Sequence, residues 1–203
     1  MPDSERRRKE EVYRQQGRLP PGQTLTLKWP VLHEGSVPHF DPAQWDFQVR
    51  GLVAHPRRFT WEEFNKLPQI RVVADFHCVT AWSKFDNEWI GVSFRVIVEM
   101  AKPLPRARYV MVHADPGYDT NVPLVDLMRE DVVLALAHAP EPLTPEHGGP
   151  LRLIVPHLYA WKSAKWVRAL DFMEQDRAGY WESVGYHMYG DPFREQRYRE
   201  SGG

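Results

Sequence analysis

Cysteine is the scarcest residue type in the chain: Cys78 is the one example among 203 residues. That excludes an intrachain disulfide and any zinc or iron–sulfur site built from several cysteines. Excess charge is missing as well. Lys and Arg number 26 against 27 Asp and Glu, a net charge of -1, so no global positive field marks a nucleic-acid binder. No apolar run approaches membrane-spanning length, so no membrane segment is expected. Residues 1–16 (MPDSERRRKEEVYRQQ) mix both signs and lead into no apolar core, which does not read as an export signal. The expected location is cytoplasmic. The chain also lacks a P-loop, a G-x-G-x-x-G turn, a G-x-S-x-G elbow and an HExxH helix.

Tryptophan and proline are plentiful, at eight and eighteen. So many prolines favour strands, short helices and loops over long helices. Residues 4–16 are expected as a surface helix or a partly disordered solvated arm, making 1–20 an N-terminal extension to a domain over 21–203. The segment 25–42 reads as a long ordered loop, rich in Pro yet too aromatic for a linker. Strands are expected at 45–53, 70–76, 109–113, 132–137, 151–155 and 167–173. Thr60 and Glu63 have capping-box spacing and open a short helix ending before Pro68. A helix over 93–101 puts Phe94, Ile97, Val98 and Ala101 on one face, and 124–129 reads as a shorter one. With no repeat and no Gly/Ser linker, the economical reading is a single strand-dominated α+β domain.

Two segments invite chemistry. Cys78 follows a buried-looking strand in DFHCVTAWS. Beside the reactive reading stands the plain one, a small core residue. His77 cannot serve as its base, because strand neighbours point to opposite faces; a thiol nucleophile would need a distant His. In 147–156 (HGGPLRLIVP), Arg152 sits in an otherwise apolar strand and needs an anionic partner, either an internal carboxylate or a ligand phosphate. Lys162, Ser163 and Lys165 add donors suited to phosphate. The alternative is a charged loop whose aromatics pack on the core. Both readings stand on the residues alone, and so does a non-catalytic module that binds an anionic ligand.

Taken in order, the segments 78–83 (CVTAWS), 89–92 (WIGV), 147–156 and 159–166 (YAWKSAKW), with the loop 29–35 (WPVLHEG), resemble the molybdopterin-binding domain of the sulfite oxidase family. The likeness runs from about residue 25 to 190 and is nearest to small prokaryotic members similar to the methionine-sulfoxide reductase catalytic subunit. It implies a molybdenum-molybdopterin cofactor with Cys78 as the protein ligand to the metal, a soft thiolate for a thiophilic centre. It implies that Arg152, Ser163 and Lys165 hold the pterin phosphate with His147 nearby, and that His33 and Glu34 sit against the pterin from the other side. The activity implied is oxygen-atom transfer, with a separate electron-transfer protein as partner. Candidates on the substrate side are Tyr118, Asp119, Tyr159, Trp161 and Lys162, expected on loops facing Cys78. The arginine that follows the cysteine in sulfite-oxidising members is absent, and too few residues follow Lys165 for the dimerisation domain of larger members. Reduction of a small S-oxide or N-oxide is therefore expected over sulfite oxidation.

Overall fold

Alternating burial along the strands of the computed structural model, which describes residues 3–199, builds two sheets. The chain opens with α1 (Asp3–Gln15) and a short β1 (Thr24–Leu25), then β2 (Asp46–Gly51), β3 (Arg57–Thr60) and α2 (Trp61–Asn65). A long hairpin follows, β4 (Gln69–Cys78) and β5 (Trp82–Ser93), and leads into α3 (Phe94–Ala101). Next come β6 (Tyr109–Ala114), β7 (Tyr118–Pro123), α4 (Leu124–Leu127), β8 (Val133–His138) and β9 (Glu141–Pro142). The last elements are β10 (Arg152–Ile154), β11 (Val167–Met173) and α5 (Tyr180–Ser183).

The first sheet runs β1-β5-β8-β10, with β4 paired to β5 and β9 to β8; the second runs β3-β2-β11-β6-β7. One apolar cluster joins them. Val92, Leu134 and Leu153 come from the first sheet, Val49, Val112 and Leu170 from the second, and Phe94, Ile97 and Ala101 from α3. These are the helix positions that the 3.6-residue spacing selected, although Val98 is only partly covered. At Gly91 the ladder between β5 and β8 shifts register, and a Cβ there would lie 2.1 Å from the Leu134 carbonyl oxygen. The glycine of the WIGV segment thus allows two backbones to meet. Thr60 and Glu63 close a capping box on α2.

Several elements go beyond or differ from the sequence reading. Residues 3–15 form a helix that is docked rather than solvated: Glu10 Oε1 accepts from Leu25 N at 2.8 Å, and Tyr13 stacks on Phe85 at 3.9 Å. Just beyond it, Arg18 bonds Asp75 of β4 at 2.7 Å and Asp86 of β5 at 2.5 Å, strapping the hairpin from outside. Residues 118–123, expected as loop, are strand β7 at the edge of the second sheet. Finally, β5 extends over twelve residues, through charged positions that hid it from a pattern search.

Candidate active site

Strand β4 delivers Cys78 to a cavity of about 320 Å³. A tight turn follows, with Ala81 N donating to the Cys78 carbonyl at 3.1 Å, and Trp82 stands opposite Cys78 across the ladder. The side chain of Gln23 also donates to that carbonyl, at 3.0 Å. Cys78 Sγ lies 3.1 Å from Thr80 Oγ1. His77 faces away, its Nδ1 2.8 Å from Ser83 Oγ, and burial pushes its pKa down to about 4. It is a neutral structural histidine. Among the described residues no group of three or more His, Cys, Asp or Glu side chains is placed to hold a metal, so a metal here would take one protein ligand and bring its other ligands with it.

Arg152 enters the same cavity from β10. It is 4% exposed, and no ion pair to it exists among the described residues. Its Nη1 donates to the His147 carbonyl at 3.0 Å, and its Nε has no acceptor. The guanidinium lies over the Phe76 ring at 4.9 Å and the Trp29 ring at 5.7 Å. Burial lowers its pKa to about 10. Lys165 lines the cavity too, with Nζ donating to the Glu146 carbonyl at 2.6 Å. Burial, and then the nearby Arg152 charge, push its pKa down to about 7. Two cations that burial and mutual repulsion both disfavour, with no carboxylate bonded to either, describe a site prepared for an anion.

The glycines before Arg152 serve packing. Gly148 has φ +104°, and a Cβ on it would meet the Lys165 side chain at 2.9 Å; one on Gly149 would meet the Leu143 carbonyl at 2.3 Å. Both glycines thus let the backbone pack closely against the protein itself, Gly148 against the Lys165 side chain. Ser163 reaches the cavity wall, but its Oγ accepts from Val155 N at 2.9 Å, bracing the strand. His147 stays one layer back. Its ring stacks on Trp29 at 3.9 Å, Nε2 lies 3.2 Å from the Trp29 carbonyl, and Nδ1 lies 3.0 Å from Thr144 Oγ1. Its main-chain oxygen, not its ring, meets Arg152. His33 and Glu34 both border the cavity on the exposed loop, where His33 Nδ1 bonds the Gly35 carbonyl at 2.9 Å and the ring meets Trp166 edge-on.

The expected substrate-side residues separate. Tyr118 and Trp161 line the cavity, and the Tyr118 hydroxyl donates to the Trp161 carbonyl at 2.5 Å. Burial, and then the Glu182 charge, hold the Tyr118 pKa well above its usual value. Lys162 does not belong with them. It is fully buried, with Nζ donating to Glu182 Oε1 at 2.6 Å, the Met188 carbonyl at 2.7 Å, and Asn121 O and Oδ1 at 2.8 and 2.9 Å. Four acceptors leave that ammonium nothing to offer a substrate, so Lys162 is a scaffold residue. Asp119 faces His113 across the second sheet, Oδ2 3.8 Å from Nδ1, and does not border the cavity. Tyr159 is buried behind the wall, stacked on Trp161 at 5.3 Å.

Sequence reasoning missed Thr80, Trp181 and Tyr186 on the cavity wall. Thr80 was within sight, two residues after the cysteine. Trp181 and Tyr186 stack on each other at 4.9 Å at the start of the C-terminal segment, where no motif points to them. Burial, and then the neighbouring Tyr198 and Cys78, raise the Tyr186 pKa above its usual value. The donor set fits a molybdenum pterin: a thiol for the metal, and a buried guanidinium with an orphaned N–H for a phosphate.

Comparison with known proteins agrees. The family model described as "oxidoreductase molybdopterin binding domain" matches residues 34–181. The uncharacterized oxidoreductase YuiH of Bacillus subtilis is 49% identical over 91% of this chain and 93% of its own length. The protein-methionine-sulfoxide reductase catalytic subunit MsrP of Campylobacter jejuni is 28% identical over 75% of this chain, which spans 57% of that protein. The sulfane dehydrogenase SoxCD of Paracoccus pantotrophus superposes with a TM-score of 0.64 at 23% identity, covering 70% of this chain and 41% of that one. The fold is therefore the strand-rich molybdopterin-binding fold of SoxCD, and the cofactor is molybdenum-molybdopterin. The chain belongs to the oxidoreductase molybdopterin-binding domain family, of the sulfite oxidase type.

Proposed function

We propose that this oxidoreductase reduces a small S-oxide or N-oxide by oxygen-atom transfer, with electrons delivered by a separate carrier protein. The observation that carries the reading is the division of charge in the cavity. Buried Arg152 and half-buried Lys165 are cations on its lining, while Tyr118, Trp161, Trp181 and Tyr186 supply aromatic surface. Lys162, which could have met a dianion, is neutralised by Glu182 outside the cavity lining. Sulfite and sulfate need concentrated positive charge, whereas a neutral oxide needs a donor and an apolar wall. The name of the MsrP relative, a sulfoxide reductase, points the same way.

When bound, the cofactor supplies the centre at which oxygen is exchanged and two electrons are stored. Cys78 would hold the metal through its thiolate. Arg152 and Lys165 would bind the pterin phosphate through charge-assisted hydrogen bonds. The aromatic side chains would orient the oxide and exclude water, with the Tyr118 ring fixed in place because its hydroxyl gives its one hydrogen to the Trp161 carbonyl.

Sulfite oxidation is the second reading, and Arg197 favours it: its guanidinium donates to the Val79 carbonyl, next to Cys78, and lies 5.1 Å over the Tyr159 ring. Turnover of dimethyl sulfoxide, trimethylamine N-oxide and sulfite, compared per molybdenum with an artificial electron carrier, decides between them. Faster oxidation of sulfite than reduction of either oxide would overturn the proposal.

A further inference from the structure

The buried pair Lys162–Glu182 lies outside the cavity lining, and both side chains are fully buried. A buried ion pair is a poor source of stability, because desolvation cancels most of the attraction. What this one does is collect. Glu182 Oε1 accepts from Lys162 Nζ at 2.6 Å, from Trp161 Nε1 at 2.9 Å and from Thr120 Oγ1 at 2.8 Å. Lys162 Nζ in turn grips β7 through Asn121 and the C-terminal segment through the Met188 carbonyl. Arg199 donates to the Glu182 carbonyl from the same segment. Three of the elements that contribute aromatic surface to the cavity are tied to this one pair: β7 with Tyr118, the turn with Trp161, and α5 with Trp181 followed by Tyr186.

The Trp161 ring is fixed on its remaining sides too. Tyr159 stacks on it at 5.3 Å, and Tyr186 meets it edge-on at 5.1 Å. Gly190 packs so near that a Cβ there would lie 2.7 Å from Trp161 Cζ2. The indole N–H has its acceptor in Glu182, and the Trp161 carbonyl is the acceptor for the Tyr118 hydroxyl.

We propose that Glu182, held by Lys162, is the positioning residue of the aromatic wall: its buried carboxylate oxygen sets the Trp161 indole and, through the Trp161 carbonyl, the Tyr118 hydroxyl in the cavity that Cys78 enters. The proposal rests on the reading of that wall as the oxide-binding surface. It gives the C-terminal segment a part in substrate selection although Glu182 touches no substrate.

The test uses the molybdenum-loaded protein. Glu182→Gln keeps an acceptor but removes the charge that balances Lys162. Thr120→Val removes one of the three donors to the carboxylate without entering the cavity, and Thr120→Ser restores it, so the Thr120 pair decides the question if Glu182→Gln fails to fold. Misplacing a reacting group by about 1 Å costs on the order of 100-fold. The expected result is therefore a fall in kcat/KM per molybdenum of roughly 10- to 100-fold in Glu182→Gln and Thr120→Val. Molybdenum content should stay unchanged, and Thr120→Ser should recover the rate. A lowered Tm with kcat/KM per molybdenum intact would show the pair to be structural and overturn the proposal. Affinity of dimethyl sulfoxide for the oxidised protein, read by saturation-transfer NMR, needs no turnover. An oxide bound but never reduced by the unsubstituted protein sinks the reductase reading alone, and the variants' affinities then decide the positioning role. An oxide neither bound nor reduced sinks both.

Discussion

Replacing Arg152 with methionine separates a ligand-binding arginine from a structural one by the sign of its effects. In the cofactor-free protein the guanidinium is desolvated, and its pKa falls from 12.5 to about 10. That amounts to about 3 kcal/mol against the charged form. The folded-state pKa lies below the unfolded one, so this penalty is present throughout neutral pH and is relieved only above about pH 10. Against it stand the two ring faces, about 1–2 kcal/mol together, and one hydrogen bond to a carbonyl, about 1 kcal/mol. The terms nearly cancel. Arg152→Met should leave the cofactor-free Tm within a few degrees, whereas truncating a large core residue costs about 2–5 kcal/mol. In the presence of cofactor the variant loses a charge-assisted bond of about 1.5–3 kcal/mol, roughly a 10- to 150-fold loss in affinity. Differential scanning fluorimetry of the cofactor-free protein and molybdenum per chain of the loaded one measure the two halves. A drop of 3 kcal/mol or more with undiminished molybdenum would refute the reasoning, because Arg152 would then be holding the fold.

Cys78→Ser should fold with a Tm near that of the unsubstituted protein and lose oxygen transfer; unchanged turnover at full molybdenum loading would end the ligand assignment. Lys165 titrates at about 7 in the folded protein, well below its unfolded value of 10.5, so cofactor-free stability should rise as pH climbs from 7 toward 10. Lys165→Met should flatten that rise, as a Tm series against pH would show, and phosphate affinity should weaken over the same interval in the unsubstituted protein alone. Gly91→Ala forces a Cβ to within 2.1 Å of the Leu134 carbonyl oxygen and should destabilise the chain by about 1–3 kcal/mol, read as a shifted urea midpoint.

Strand β11 was legible to the residue, because Val167, Leu170 and Phe172 bring apolar side chains to the core even though a bulge between Val167 and Ala169 breaks strict alternation. The cysteine at a strand end and the lone arginine in an apolar strand were legible for a related reason: each violates the pattern around it. Strand β7 was not, since its interior positions are Thr120 and Asn121, and their burial is balanced by Glu182 and Asp176, more than fifty residues away. A lysine between Trp161 and Ser163 reads as a surface donor, and only the fold shows that four acceptors surround it. The stacking of His147 on Trp29 joins positions 118 apart, a pairing with no local trace. Propensity reports on neighbours along the chain, so polar groups satisfied from afar escape it.

The cavity takes Arg152 and Lys165 from the segment 152–165, and the last part of its aromatic wall, Trp181 and Tyr186, from residues 180–199, which tie back through Tyr186 and Tyr198 and through Arg197 on the Val79 carbonyl. During synthesis Arg152 and Lys165 are made before Trp181 and Tyr186, the part of the wall that comes last. Arg194, exposed on this segment, is where a trypsin-like protease should cut first.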